Sequence, residues 1–276
     1  MYIGRFGSIP PVVKNLLIIN VLLLLATGVA RTVMGVDLTR AFGLHYVESN
    51  YFRPYQIVTH MFMHANFWHL FFNMFALWMF GKVLEGVWGS KRFLIYYFVT
   101  GLGAAALHTF VQWIEFSSIQ KDLMAFMNTP SVEGFVLFIK DHFPQYENFL
   151  KSNGTYNNLV DAWASNPDNS HYANQSVEYL NAIFNRVKDI PTVGASGAVY
   201  GVLLGFGVLF PNTQIMLLFP PIPIRAKYFV IIYGALELYL GLTQPGSNIA
   251  HFAHLGGMLF GFLLIKYWNK NTRNFY

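Results

Sequence analysis

Two residues in this chain have the type and setting for covalent chemistry. Ser196 stands in Gly194-Ala195-Ser196-Gly197, at the opening of an apolar run that reaches Phe210. His254 stands in Ala253-His254-Leu255-Gly256-Gly257, with Gly261 one turn further on. A serine hydroxyl becomes a nucleophile when an imidazole accepts its proton. Acyl transfer also needs donors aimed at the oxygen on which charge develops. His64 and the amide of Asn73 are candidates, together with the backbone N–H of Ser196, where a helix N-terminus favours negative charge. Tyr200, one turn after Ser196, can stack on the His254 ring and fix its direction. His69 lies between His64 and Asn73 and reads as a brace for the loop before them, the loop that follows the first apolar segment.

The elements that must position these groups are membrane helices. Of the 276 residues, 54% are hydrophobic, 18% aromatic and only 11% charged, against about a quarter charged in a soluble domain. There is no cysteine, so disulfides and thiolate metal sites are excluded. The net charge of +5 is no sign of nucleic-acid binding, because ten of the 18 basic residues fall in segments on one side of the expected membrane. The partner the composition implies is a lipid bilayer. Polar residues within it are costly and mark function by default.

Hydropathy places six spans at about 11–30, 59–84, 93–113, 195–210, 228–242 and 249–268. The first ends in Thr27-Gly28-Val29-Ala30, which also resembles a signal-peptide cleavage site; five later spans need no separate export signal, which favours a span. The fourth, at 16 residues, reaches about 24 Å, short of the ~30 Å hydrocarbon core. A helix beginning at Ser196 would therefore start below the membrane surface, at the floor of a wet pocket. Gly197, Gly201 and Gly205 form one stripe on span four, and Gly257 and Gly261 another on span six. Smooth faces of this kind let two backbones approach, so the two stripes are expected to face each other and bring His254 to Ser196.

Residues 115–190 differ from the rest. Nine of the 13 acids lie there against five basic residues, for a net charge of −4, with Asn and Ser gathered at 152–176. Apolar residues at helical spacing (Ile119, Leu123, Phe126; Phe135, Phe138, Ile139) predict short amphipathic helices outside the membrane. The chain thus divides into a membrane core at 1–114, an extracytoplasmic insertion at 115–190 and the rest of the core at 191–276. The side carrying the two termini holds Arg5, Lys14, Lys82, Lys91, Arg92, Arg225, Lys227, Lys266, Lys270 and Arg273, so both termini are expected in the cytoplasm.

Taken together, His64…His69…Asn73, Gly194-Ala195-Ser196-Gly197 and Ala253-His254…Gly257…Gly261 resemble the marks of rhomboid intramembrane serine proteases. The resemblance covers all six spans but not 115–190. It implies an all-α, six-helix membrane bundle, a Ser196/His254 dyad without a third carboxylate, and an oxyanion site from His64, Asn73 and the Ser196 amide. It also implies Tyr200 packed on His254, no cofactor, and transmembrane proteins as substrates, in a bacterial inner membrane. The sequence departs from the family at Tyr55-Gln56, where many members have Trp-Arg. A non-catalytic relative that binds transmembrane clients is the alternative; such relatives usually lack the serine or the histidine. A metal site at His251/His254 or His60/His64 is disfavoured, because no cysteine is present and no carboxylate stands beside the span-two histidines; Glu85 and Glu237 read as structural.

Overall fold

A computed structural model of the chain describes residues 8–152, 154–216, 221–244 and 250–272. Most of the turn expected at 244–248, and the basic residues Arg5 and Arg273, lie outside the described residues.

Helix α1 (Pro11–Met34) opens on a proline, whose missing N–H has no partner to lose at a first helical position, and ends at Gly35 with φ of 66°. Its free N-terminal amides do not face lipid alone. Glu85, 2% exposed, accepts hydrogen bonds from the amides of Val12 (3.0 Å) and Val13 (2.8 Å) and from the Ser90 hydroxyl (2.7 Å). One carboxylate thus caps the first helix and ties it to the turn at Gly89-Ser90. Glu85→Ala leaves these donors unpaired, at about 1–3 kcal/mol for each that stays dry. The expected result is a clear drop in the thermal unfolding midpoint in detergent, while Glu85→Gln, which keeps an acceptor, loses less.

Two short helices, α2 (Leu38–Phe42) and α3 (Gln56–Thr59), follow, and α3 runs into a 3₁₀ turn at His60–Phe62. Helix α4 (Phe67–Ala76) starts later than the expected 59, because the Asn66 side chain caps it by accepting from the His69 amide at 2.9 Å. His60 and His64 therefore precede the helix, and His69 and Asn73 lie on it. A π-helical turn at Leu77–Gly81 leads into α5 (Lys82–Asn128), which is two helices meeting at a kink at Gly89, with φ of 76°. The positive φ suits glycine alone.

After Gly89 the helix does not stop near residue 113 but continues to Asn128, so the expected boundary at 114/115 falls within an unbroken helix. Its far end buries Phe116, Ile119, Leu123 and Phe126 against α6 (Val132–His142), α7 (Pro144–Ser152), α8 (Thr155–Ser165) and α9 (Ser170–Lys188). With Phe135, Trp163 and Leu180 these form a second hydrophobic core, apart from that of the main bundle. Residues 116–188 are thus built largely of short amphipathic helices on a continuation of the third apolar helix.

Helix α10 (Ser196–Leu209) lies within the main core, which gathers Leu77, Leu84, Phe93, Tyr96, Val202 and Phe206. A pair of three-residue strands, β1 (Gln214–Met216) and β2 (Pro223–Arg225), pairs antiparallel with Ile215 opposite Ile224. This corrects the all-α expectation locally: Pro221 and Pro223 exclude a helix there, and an extended strand pair is what remains. Helices α11 (Ala226–Thr243) and α12 (His251–Thr272) complete the described chain. Among the described residues, three stretches, α1, the joined α4–α5 run and α11, are long and apolar enough to cross a membrane, and α10 is an apolar helix of only 14 residues.

The glycine stripes meet as expected only where Gly257 of α12 reaches Gly197 of α10, while the rest of the α10 stripe faces α5. A Cβ at Gly197 would strike Ala104, one at Gly201 would strike Thr100, and one at Gly205 would crowd the Tyr96 hydroxyl, all on α5. Periodicity marks a smooth face but does not name the neighbour, and here that neighbour is α5. The close contact between α10 and α12 is made by Gly257 instead, where any side chain would run into the Gly197 carbonyl.

Candidate active site

The chain reaches Ser196 along a pinned segment. Thr192 and Leu44 exchange backbone hydrogen bonds at 2.8 and 2.9 Å, and the Gly194 amide donates to the His60 carbonyl at 2.9 Å. His108 on α5, which sequence reasoning passed over, holds the Thr192 hydroxyl at 2.8 Å through Nε2. Gly194 has φ of 131°, and a Cβ there would lie 2.8 Å from the His69 ring, so both backbone and space call for glycine. Helix α10 then begins at Ser196, leaving the serine amide at the positive end of the helix without an intrahelical partner.

Ser196 Oγ lies 2.9 Å from Nε2 of His254, on the first turn of α12. The Tyr200 ring stacks on the His254 ring with centroids 4.1 Å apart and planes 3° from parallel. The structure thus brings together Ser196, His254 and Tyr200, with Gly194, Gly197 and Gly257 as the close-approach points. Gly261, by contrast, packs against Tyr96 and Thr100 of α5.

His64 is buried, with neither ring nitrogen in a well-aligned hydrogen bond among the described residues, and the Asn73 Nδ2 is likewise without a partner. Buried donors are almost always satisfied, so free ones call for a ligand or a reacting group. His64 stands edge-on to His69 with ring centroids 5.0 Å apart. Among the described residues, His69 shows no hydrogen bond to the loop that directly follows α1. Its Nδ1 accepts from the Ala65 amide at 3.5 Å, just ahead of its own helix, and its ring fills the space left by Gly194. A cavity of about 20 Å³ beside Ser196, lined by His60, His108, Thr192 and Gly194 among others, has room for one water.

The loop before α4 is held by Gln56, at the position where Trp-Arg was absent. Its side chain, 1% exposed, donates to the Tyr51 (2.9 Å) and Ala41 (3.2 Å) carbonyls and accepts from the Arg53 amide (3.0 Å). Gln56→Leu strands these groups, at roughly 1–3 kcal/mol for each that stays dry. It should lower the unfolding midpoint and speed protease cutting within 35–58.

The protein-family comparison bears directly on this geometry. The model described as "Rhomboid domain" matches residues 51–115 and 157–270, well over half the chain. The chain belongs to the rhomboid family. The rhomboid match includes every residue of the constellation and leaves out residues 1–50, 116–156 and 271–276. The family makes it a multi-pass membrane protein. Among curated rhomboid relatives, an uncharacterized mitochondrial rhomboid protein of Schizosaccharomyces pombe is 24% identical over 98% of this chain and 68% of its own length. Rhomboid protein 1, mitochondrial, of Saccharomyces cerevisiae is 34% identical over 29% of this chain and 23% of its own. Rhomboid-like protein 11, chloroplastic, of Arabidopsis thaliana is 39% identical over 25% and 23%. These names give no support to the bacterial inner membrane expected from the sequence. No solved structure matches the chain.

Proposed function

We propose that this rhomboid protein is an intramembrane serine endopeptidase that cuts transmembrane protein substrates in or near their membrane helix. The observation that carries the reading is the 2.9 Å approach of Ser196 Oγ to His254 Nε2, at the mouth of a short apolar helix in a rhomboid fold. In this reading His254 takes the Ser196 proton at Nε2 as Oγ attacks the scissile carbonyl carbon. The oxyanion is held by the Ser196 amide, His64 and Asn73; the unpartnered His64 nitrogens and Asn73 Nδ2 support that role. Protonated His254 gives its proton to the leaving amine, and water then hydrolyses the acyl-enzyme, with His254 again as base. Tyr200 keeps the imidazole plane fixed. No cofactor enters any step.

The six helical segments then cross the membrane in turn, with both chain ends on the side that carries the basic loops, and 115–190 on the other. The insertion serves as an accessory unit to the core at 1–114 and 191–276. The test is cleavage of a reporter carrying a transmembrane segment by the purified protein in liposomes, with product masses locating the cut. A cut in or near the membrane segment is expected. Intact substrate after prolonged incubation with folded protein would remove the protease reading and leave a client-binding rhomboid.

A further inference from the structure

Glu237 sits in the middle of α11, 6% exposed, and no step above uses it. A carboxylate buried in an apolar helix is costly unless partners hold it. Glu237 has three, and two of them, Tyr200 and His254, belong to the candidate site; the third, His251, begins α12 one turn before His254. Its Oε1 accepts a short hydrogen bond from the Tyr200 hydroxyl. Its Oε2 accepts from His251 Nδ1 at 2.6 Å, and lies 3.0 Å from His254 Nδ1. The last approach is close but out of line for a hydrogen bond. The carboxylate thus reaches the face of the His254 ring through Tyr200 and its Nδ1 edge directly, while Nε2 faces Ser196.

We infer that Glu237 is a third member of the site: a positioning residue that makes a Ser196–His254–Glu237 triad of the expected dyad, with His251 orienting the carboxylate. The inference rests on the protease reading above. A carboxylate 3.0 Å from Nδ1 favours a proton on that nitrogen, which leaves Nε2 free to accept the serine proton. When that proton arrives, the imidazolium forms against a negative charge, and the carboxylate itself stays ionised throughout. A metal ion held by Glu237, His251 and His254 is the rival use of the same groups. The geometry favours direct pairing: the 2.6 Å from Oε2 to His251 is a hydrogen-bond length, shorter than the roughly 3.3 Å between neighbouring ligands of a tetrahedral zinc. His254 also has its other nitrogen on the serine.

The test is steady-state cleavage of the liposome reporter by wild type, Glu237→Gln and Glu237→Asp, with unfolding midpoints and metal content measured alongside. Glu237→Gln should fall about 10²–10⁴-fold in kcat with KM little changed. Glu237→Asp, which keeps the charge on a shorter arm, should recover at least about tenfold over Gln. If Glu237→Gln does not fold, Glu237→Asp decides alone: lower kcat at unchanged KM supports the triad, and wild-type kcat overturns it. Equal losses in Gln and Asp that track their midpoints would make Glu237 merely structural. Stoichiometric zinc whose removal abolishes activity would overturn the triad in favour of a metal centre. An inactive wild type would fail the protease reading itself, and that result is distinct from an active wild type indifferent to Glu237.

Discussion

Ser196→Ala is expected to abolish cleavage of a transmembrane substrate while the protein keeps its fold, and His254→Ala to do nearly the same. The two groups act as one unit, since the hydroxyl attacks only as the imidazole takes its proton, so each single change should cost about 10³–10⁶-fold in kcat and the double change little more. The fold should survive both. Ser196 is partly buried at the first position of α10, where alanine is well tolerated and the helix keeps its main anchors at Val199, Val202 and Phe206. His254→Ala leaves Glu237 with Tyr200 and His251 as partners. Kinetics on the liposome reporter, with unfolding midpoints as the control, check both. Additive losses from the two single variants would mean that the groups work apart.

Gly257→Val should be nearly as damaging although residue 257 takes no part in the chemistry. Any Cβ at that position lands on the carbonyl group of Gly197, which is backbone and cannot rotate away. Helices α10 and α12 must then part or slide, and the Ser196–His254 contact spans that same interface. A displacement of about 1 Å at a reacting pair can cost about 10²-fold in rate, and the overpacking itself about 1–3 kcal/mol in stability. Gly28→Ala in α1 is the matched control. Nothing lies within 4 Å of a Cβ there, so activity should hold and stability rise by about 0.5–1 kcal/mol. Equal rates for Gly257→Val and wild type would show that the close crossing of α10 and α12 does not set the site.

What could be read from the sequence follows from how local each signal is. The motifs around Ser196 and His254 are contiguous, and their glycines announce a close approach, so the pair and the stacking of Tyr200 were legible together. The partner of a smooth face was not: Gly197, Gly201 and Gly205 imply only that something comes near, and α5 presents Ala104, Thr100 and Tyr96 to fill that space. The late start of α4 was available in Asn66, a strong capping residue, but the apolar run through Met61–Met63 obscured it. The end of the third span was lost because the amphipathic face Phe116–Ile119–Leu123–Phe126 continues the same helix out of the apolar stretch without a break. Glu237 stands alone among apolar neighbours with no motif around it. The signal that could have found it is its isolation, because a lone acid within an apolar helix needs partners, and in the fold these are Tyr200, His251 and His254.

The most direct measurement is labelling of the folded protein with a fluorophosphonate, followed by peptide mass analysis. An activated serine attacks phosphorus at neutral pH and an ordinary one does not. The expected result is one stoichiometric adduct on Ser196, lost in His254→Ala under conditions where that variant remains folded. An unlabelled Ser196 in folded wild-type protein, or an adduct that forms equally fast without His254, would contradict the assignment of a serine nucleophile activated by that histidine.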